Sequence, residues 1–455
     1  MDLVALDALG PAGEYRTRKP ELIRDTGGVP VAELSVVPRL FVTRSVSAQR
    51  AVQPLPLSER ESALTRASEL FLTSSIAGLD FAEYIALTCR VTGLPMRVAR
   101  AGGHAVADSL VTTFDAIRPA KPAGASLDWR DVGEQGGAVW ARRGDVLAVL
   151  APGNAPGVHG LWPQALALGY RVAVRPSRRE PFTAHRLIIA LRQAGFRHEH
   201  ALFLPIEHSV ADELVRAADL AMVYGGQDVT DHYASDPTVL VNGPGRTKIL
   251  ITADCDWRDH LDVIVESIGG LGGMACVNTT AVLLEGDPEP LAQAIAERLA
   301  AATPLSNVDE AAILPTMPLS DARALAEHLA RRGRGTEPVL GADQVVVDLG
   351  DGYAALRPAV HLLRRPDVDL LNVELPFPCA WVSAWSRADG LGPLRNSLVI
   401  NAITSDGTLI DDLLADPTVT NVYSGRQPTQ FARPRIPHDG YLADFLMRNK
   451  GFHRA

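Results

Sequence analysis

From residue 138 onward the chain alternates short apolar runs with amphipathic stretches. Residues 146–150 (VLAVL), 171–174, 202–206 and 220–224 are apolar and mostly branched, which predicts buried strands. Between them, residues 159–168, 182–194 (FTAHRLIIALRQA) and 210–218 carry apolar positions at helical spacing, with Gly169 and Gly195 as stops. Strands alternating with short helices predict a parallel, doubly wound α/β sheet, where ligands bind at the carboxyl ends of the strands. The turns at Asn154, at 175–179 and at 225–227 fall at those ends.

A second α/β unit starts near residue 246. Residues 247–252 read as a strand, 257–268 as a helix, 281–284 as a strand, 289–301 and 320–332 as helices and 344–348 as a strand, and 399–403 are apolar. Before residue 138 the pattern is less informative. Residues 32–43 suggest a strand or two, and 58–103 are helical, opening with Ser58 and Glu61 spaced for a capping box. The resulting division is an N-terminal segment 1–57, a dinucleotide-binding domain 58–245, a catalytic domain 246–405 and a C-terminal segment 406–455 that suits a subunit contact.

Composition narrows the function. With 47% hydrophobic residues the chain can bury large cores. A net charge of -9 leaves no basic surface for nucleic acid. The 4 cysteines form no CxxC pair and no disulfide framework. No signal-peptide pattern or membrane-length apolar run stands out, so a cytoplasmic protein is expected.

The chemistry centres on SIGGLGGMACVNTTAV, where Gly269, Gly270, Gly272 and Gly273 precede Cys276 between a predicted helix and a predicted strand. Glycines permit unusual backbone angles and close approach of a ligand, yet a lone cysteine is more often inert core filler than nucleophile. Asn154 between two prolines serves equally as a turn residue or an oxyanion donor. Arg175, Ser177, Arg178 and Arg179 suit a phosphate or a solvated charge cluster. No GxGxxG fingerprint is present.

In order and spacing these turns resemble the aldehyde dehydrogenase superfamily, over roughly residues 138–405. PGNAP (152–156) looks like the family's Pro-Trp-Asn-x-Pro turn, which makes Asn154 half of the oxyanion hole. RPSRRE looks like its adenosine-ribose loop, VYGGQ like the turn beside the pyrophosphate, with Gly225 and Gly226, and GGMAC like Gly-Gln-x-Cys, with Cys276 as nucleophile. VELPFP looks like Glu-x-Phe-Gly-Pro, which assigns Glu374 to the nicotinamide ribose. The implied architecture is a Rossmann-type cofactor domain beside a second α/β catalytic domain, in a homodimer or homotetramer.

Two departures carry the functional expectation. Where the family's oxidative members place a water-activating glutamate, this chain has Asn242, and an amide is no base near neutral pH. The acyl-enzyme is then expected to persist, as in the superfamily's acyl-thioester reductases, including those of natural-product pathways. Arg178 or Arg179 stands where selectors of the unphosphorylated cofactor carry a glutamate, which favours the 2′-phosphate of NADPH. The expected reaction is NADPH-dependent reduction of an acyl thioester, on coenzyme A or a carrier protein, to an aldehyde. The rivals are aldehyde oxidation, with Glu266 or another residue as base, acyl-phosphate reduction, and a non-catalytic binding protein on the same scaffold.

Overall fold

The computed structural model describes residues 3–454. Its first large sheet has seven strands in the order Val239–Asn242, Leu220–Tyr224, Val146–Leu150, Arg171–Arg175, Ala201–Phe203, Ala8–Gly10 and Gly13–Tyr15. The first five run parallel, and the last two are joined on by antiparallel pairings, Ala8–Gly10 against Ala201–Phe203 and Gly13–Tyr15 against Ala8–Gly10. Every residue of Val146–Leu150 is buried, as a strand covered on both faces requires. The segment 1–57, expected to stand apart, therefore supplies two strands of this sheet. It also supplies the helix Arg39–Arg50, whose Gln49 side chain donates to the Val172 carbonyl at 3.0 Å.

Local expectations failed where proline rewrote the pattern. Residues 32–43, read as strands, split into a strand Pro30–Leu34 and the start of the helix Arg39–Arg50, for which Pro38 supplies the pre-set entry. Ser58 and Glu61 form no capping box, because the helix Leu57–Thr73 already starts at Pro56. The box forms instead at Asp80 and Glu83, before the helix Phe81–Thr92. The stretch 159–168 breaks into Pro156–Gly160 and Pro163–Ala167.

The second large sheet runs Glu337–Leu340, Ala359–Leu363, Cys379–Trp385, Thr279–Glu285, Thr247–Ile251, Ser397–Ile403 and Val419–Ser424, parallel except for its first strand. It reaches past residue 405, because Val419–Ser424 pairs with Ser397–Ile403. A smaller sheet sets Gly137–Arg142 between Ala125–Ser126 and the C-terminal strand Met447–Phe452, so the end of the chain returns to its middle. Among the described residues no helix is long and apolar enough to cross a membrane.

Candidate active site

The Cys276 loop is built by glycine. The helix Leu261–Gly269 runs into Gly270–Gly273, where Gly272 and Gly273 hold φ of 70° and 67°, the left-handed region that glycine adopts without strain. At Gly273 a side chain has no room: a Cβ would lie 2.3 Å from the Pro378 nitrogen. At Gly245 it would lie 1.8 Å from the Cys276 carbonyl oxygen. These two close approaches bring the loop after Glu374 and the loop after Asn242 against the Cys276 loop. Asn278 fixes that loop from inside, accepting from the Ala275 N–H at 2.9 Å and donating to the Ser267 carbonyl at 3.1 Å.

The result is a cavity of about 260 Å³ whose lining includes Cys276, Asn154, Glu374, Met274, Leu375 and Phe377. No lysine or arginine lines it, so nothing there answers a transferring acyl phosphate. Glu374 accepts through Oε1 from the N–H groups of Gly245 and Arg246, at 3.0 and 2.8 Å. Burial pushes its carboxyl upward, against the pull of these N–H donors and of Arg246. Beneath it Lys248 donates to Asn372 at 3.0 Å and Ser397 at 2.7 Å, tying two loops to the strand Thr247–Ile251. Burial and then Arg246 lower that ammonium to about 7.

Asn242 ends its strand beside Tyr224, and its carbonyl accepts from the Gly225 N–H at 3.2 Å. Its side chain is buried, 5% exposed, and neither amide atom has a hydrogen-bond partner in the protein. It stands outside the residues that line the Cys276 cavity. Glu266, the alternative base, is exposed on its helix and accepts from Gln430 at 3.2 Å.

The nucleotide-side residues gather at the carboxyl ends of Arg171–Arg175 and Leu220–Tyr224. Arg178 is not free for a phosphate, because Glu21 and Glu207 hold it at 2.6 and 2.7 Å. Burial lowers the Arg178 guanidinium but the two carboxylates outweigh it and raise it. That assignment of Arg178 is corrected: two carboxylates neutralise the cation expected to favour a 2′-phosphate. Arg179 is exposed, and Ser177 accepts from its backbone N–H at 3.1 Å. Arg175 keeps a buried Nε without a hydrogen-bond partner. This orphaned donor, with exposed backbone at Gly226, fits an extended anionic ligand such as a nicotinamide dinucleotide.

Sequence reasoning missed His438. It lies on the irregular segment after Val419–Ser424, in the tetrapeptide Pro437-His438-Asp439-Gly440, with Asp439 and Cys276 as the groups that raise its imidazole. The Asp439 carboxylate accepts from His438 Nδ1 at 2.9 Å. The only local signal was a histidine followed by an aspartate in a proline–glycine turn, far from the cysteine in sequence.

A cysteine, an amide and a fixed carboxylate line one small cavity in a protein built on two mainly parallel α/β sheets. The aldehyde dehydrogenase family model matches residues 24–391, and the chain belongs to that family. It is 23% identical over 150 residues to an aldehyde-dehydrogenase-like protein of Sinorhizobium fredii, covering 31% of this chain and 29% of that one. It is 25% identical over 166 residues to malonate-semialdehyde dehydrogenase 1 of Geobacillus thermodenitrificans, covering 34% of each. These matches span only about a third of either curated relative. Solved folds match nearly end to end. An indole-3-acetaldehyde dehydrogenase in complex with NAD+ gives a TM-score of 0.83 at 16% identity, over 99% of this chain and 97% of that one. An NADP-dependent enzyme of E. coli gives 0.82 at 14% identity, over 99% and 98%.

Proposed function

We propose that the protein oxidises an aldehyde to an acid, with a nicotinamide dinucleotide as hydride acceptor, through an acyl group carried on Cys276. The cavity that unites Cys276, Asn154 and Glu374 carries this reading. Its Met274, Leu375 and Phe377 walls and its small volume suit a short apolar acyl chain.

Cys276 attacks the aldehyde carbon, and the oxyanion is held by the Asn154 amide and the Cys276 backbone N–H. A donor of this kind contributes about 2.7–4 kcal/mol to the transition state. The dinucleotide, when bound, supplies the acceptor for the hydride that converts the hemithioacetal to the thioester. Arg175, Arg179 and Gly226 hold its phosphates, and Glu374, already fixed by the Gly245 and Arg246 N–H groups, orients the nicotinamide ribose. A preference for NADP over NAD rests on Arg179, since Arg178 is paired. The expected assembly is a homodimer or homotetramer, for which the exposed strand Met447–Phe452 offers an unpaired edge.

Asn242 favours a second reading, reduction of an acyl thioester with NADPH through the same acyl-Cys276, since an amide cannot activate water. One experiment separates them. The protein and Cys276→Ala are given a panel of aldehydes with NAD+ and NADP+, and acyl-coenzyme A thioesters with NADPH, while nicotinamide absorbance is followed. Cysteine-dependent cofactor reduction by aldehydes supports oxidation. Cysteine-dependent NADPH loss on thioesters alone overturns it in favour of the reductase.

A further inference from the structure

A histidine and a glutamate beside the oxyanion turn are fully buried and face each other. His159 and Glu180 are both 0% exposed, and His159 Nε2 stands 3.4 Å from Glu180 Oε2. Such a pair is seldom taken so far from water, because desolvation costs nearly all that the contact returns.

Hydrogen bonds on either side decide which atoms meet. Trp162, itself buried, donates from Nε1 to His159 Nδ1 at 3.2 Å. An indole N–H is a donor only, so Nδ1 carries no proton and the ring hydrogen is on Nε2. Glu180 Oε1 accepts from the Thr183 N–H at 2.9 Å, in the first turn of the helix Phe182–Gln193. Thr183 Oγ1 is in turn 2.6 Å from the Tyr84 hydroxyl. The protonated nitrogen is thus the one beside the carboxylate, and neither Nε2 nor Oε2 has a hydrogen-bond partner elsewhere in the protein.

The pair joins two functional turns. His159 lies in Pro156–Gly160, directly after Asn154, and Glu180 closes the loop that carries Arg175 and Arg179. The same two stretches meet again before Asn154. A Cβ on Gly153 would lie 2.3 Å from Ser177 Oγ, and the Ala151 N–H donates to the Arg175 carbonyl at 3.0 Å. On the opposite side, a Cβ on Gly160 would lie 2.8 Å from Ser109 Oγ of the helix Met96–Val111. Asn154 has no tether of its own through Oδ1, which is buried without a hydrogen-bond partner. Its amide is therefore aimed by the turn that carries it.

We propose that His159 and Glu180 are positioning residues for Asn154, holding its turn against the cofactor loop so that the amide reaches the oxyanion formed at Cys276. The proposal rests on the reading of Asn154 as an oxyanion donor. Apolar packing is non-directional, whereas an N–H against a carboxylate sets both a distance and an angle. Displacement of a positioning group by about 1 Å costs on the order of a hundredfold in rate.

The chemistry of the contact determines which substitutions it survives. In Glu180→Gln the amide oxygen stays with the Thr183 N–H, so an NH2 group meets the Nε2–H and donor faces donor. In His159→Gln the new amide still accepts from Trp162 and donates to Glu180. In His159→Leu both links are gone.

The test is a double-mutant cycle on the full chain, read by acyl release from p-nitrophenyl acetate, which needs neither aldehyde nor cofactor. Cys276→Ala supplies the background, because Cys255 is also partly exposed. Glu180→Gln and His159→Leu should each slow release by about tenfold or more, and His159→Gln should stay within about threefold of wild type. In an Asn154→Ala background, Glu180→Gln should cost about twofold or less, because its effect runs through an amide that is gone. Losses that multiply across the two variants belong to a purely structural role and overturn the proposal. Wild-type release in Glu180→Gln, with NAD+ binding weakened in a fluorescence titration, also overturns it and assigns the pair to the cofactor loop alone. If thermal melting shows that Glu180→Gln does not fold, His159→Leu takes its place in the cycle. A folded His159→Gln no faster than His159→Leu then overturns the proposal. Wild-type release in Asn154→Ala sinks the oxyanion reading and this inference together, whereas a slow Asn154→Ala with multiplying losses sinks this inference alone.

Discussion

Gly273→Ala should impair the site far more than it impairs the fold, and the structure supplies its own control. The new Cβ would stand 2.3 Å from the Pro378 nitrogen and 2.6 Å from the Phe377 carbonyl carbon, both backbone atoms that cannot rotate away. Relief requires the loop between Glu374 and Cys379 to retreat from Cys276 by about 1 Å to reach ordinary packing distance. A shift of that size in a positioning group costs on the order of a hundredfold in rate. The residue also holds φ of 67°, and a left-handed conformation costs a non-glycine residue about 1–2 kcal/mol. Gly286→Ala separates the two effects, because Gly286 has φ of 137° and nothing within 4 Å of a built Cβ. It carries backbone strain and no contact with the site. Thermal melting should show both variants destabilised, whereas acyl release from p-nitrophenyl acetate should fall only in Gly273→Ala. Wild-type release in Gly273→Ala, or an equal loss in Gly286→Ala, would refute the claim that this close approach sets the catalytic geometry.

Asn154→Ala should reduce kcat by about 10²–10³ with little change in melting, as expected for one oxyanion donor, read with the best substrate of the aldehyde panel. His185 gives the pH dependence. It is buried against the Phe203 ring, and burial, then Arg192, lower it to about 4. The unfolded chain protonates it near 6.5, so stability is complete above that pH and falls as pH drops toward 4. The loss is about 3 kcal/mol from this group, and the urea midpoint of His185→Gln should lack that part of the acid slope. Arg179→Ala should raise the KM for NADP and leave that for NAD nearly unchanged, because a guanidinium recognises the added phosphate and little else. Equal changes for both cofactors would remove Arg179 from the 2′-phosphate site.

The order of strands and helices from residue 138 to residue 403 was legible because buried parallel strands are nearly all apolar, and because Gly169 and Gly195 mark the ends of helical stretches. The first 57 residues were not legible. Ala8–Gly10 is a three-residue strand that pairs with the equally short Gly13–Tyr15 on one side and, on the other, with Ala201–Phe203, a partner far along the chain. Propensity over so short a window cannot see a tertiary partner. The same division runs through the site. Cys276, Asn154 and Glu374 each lie in a turn whose local composition announces it, and the fold brings them to one cavity.

Arg178 and His438 fail in opposite ways, for one reason. Arg178 looked available because Glu21 and Glu207 are distant in sequence, yet both reach it in the fold. His438 looked irrelevant because Cys276 is distant, yet Asn421 ties its backbone to the catalytic sheet and Cys276 is among the groups that raise its imidazole. A charge cluster read from sequence carries no information about its counter-ions, and a lone histidine none about its partner. Asn242 therefore could not decide the reaction by itself. A missing base is informative only once every side chain within reach of the cysteine is known.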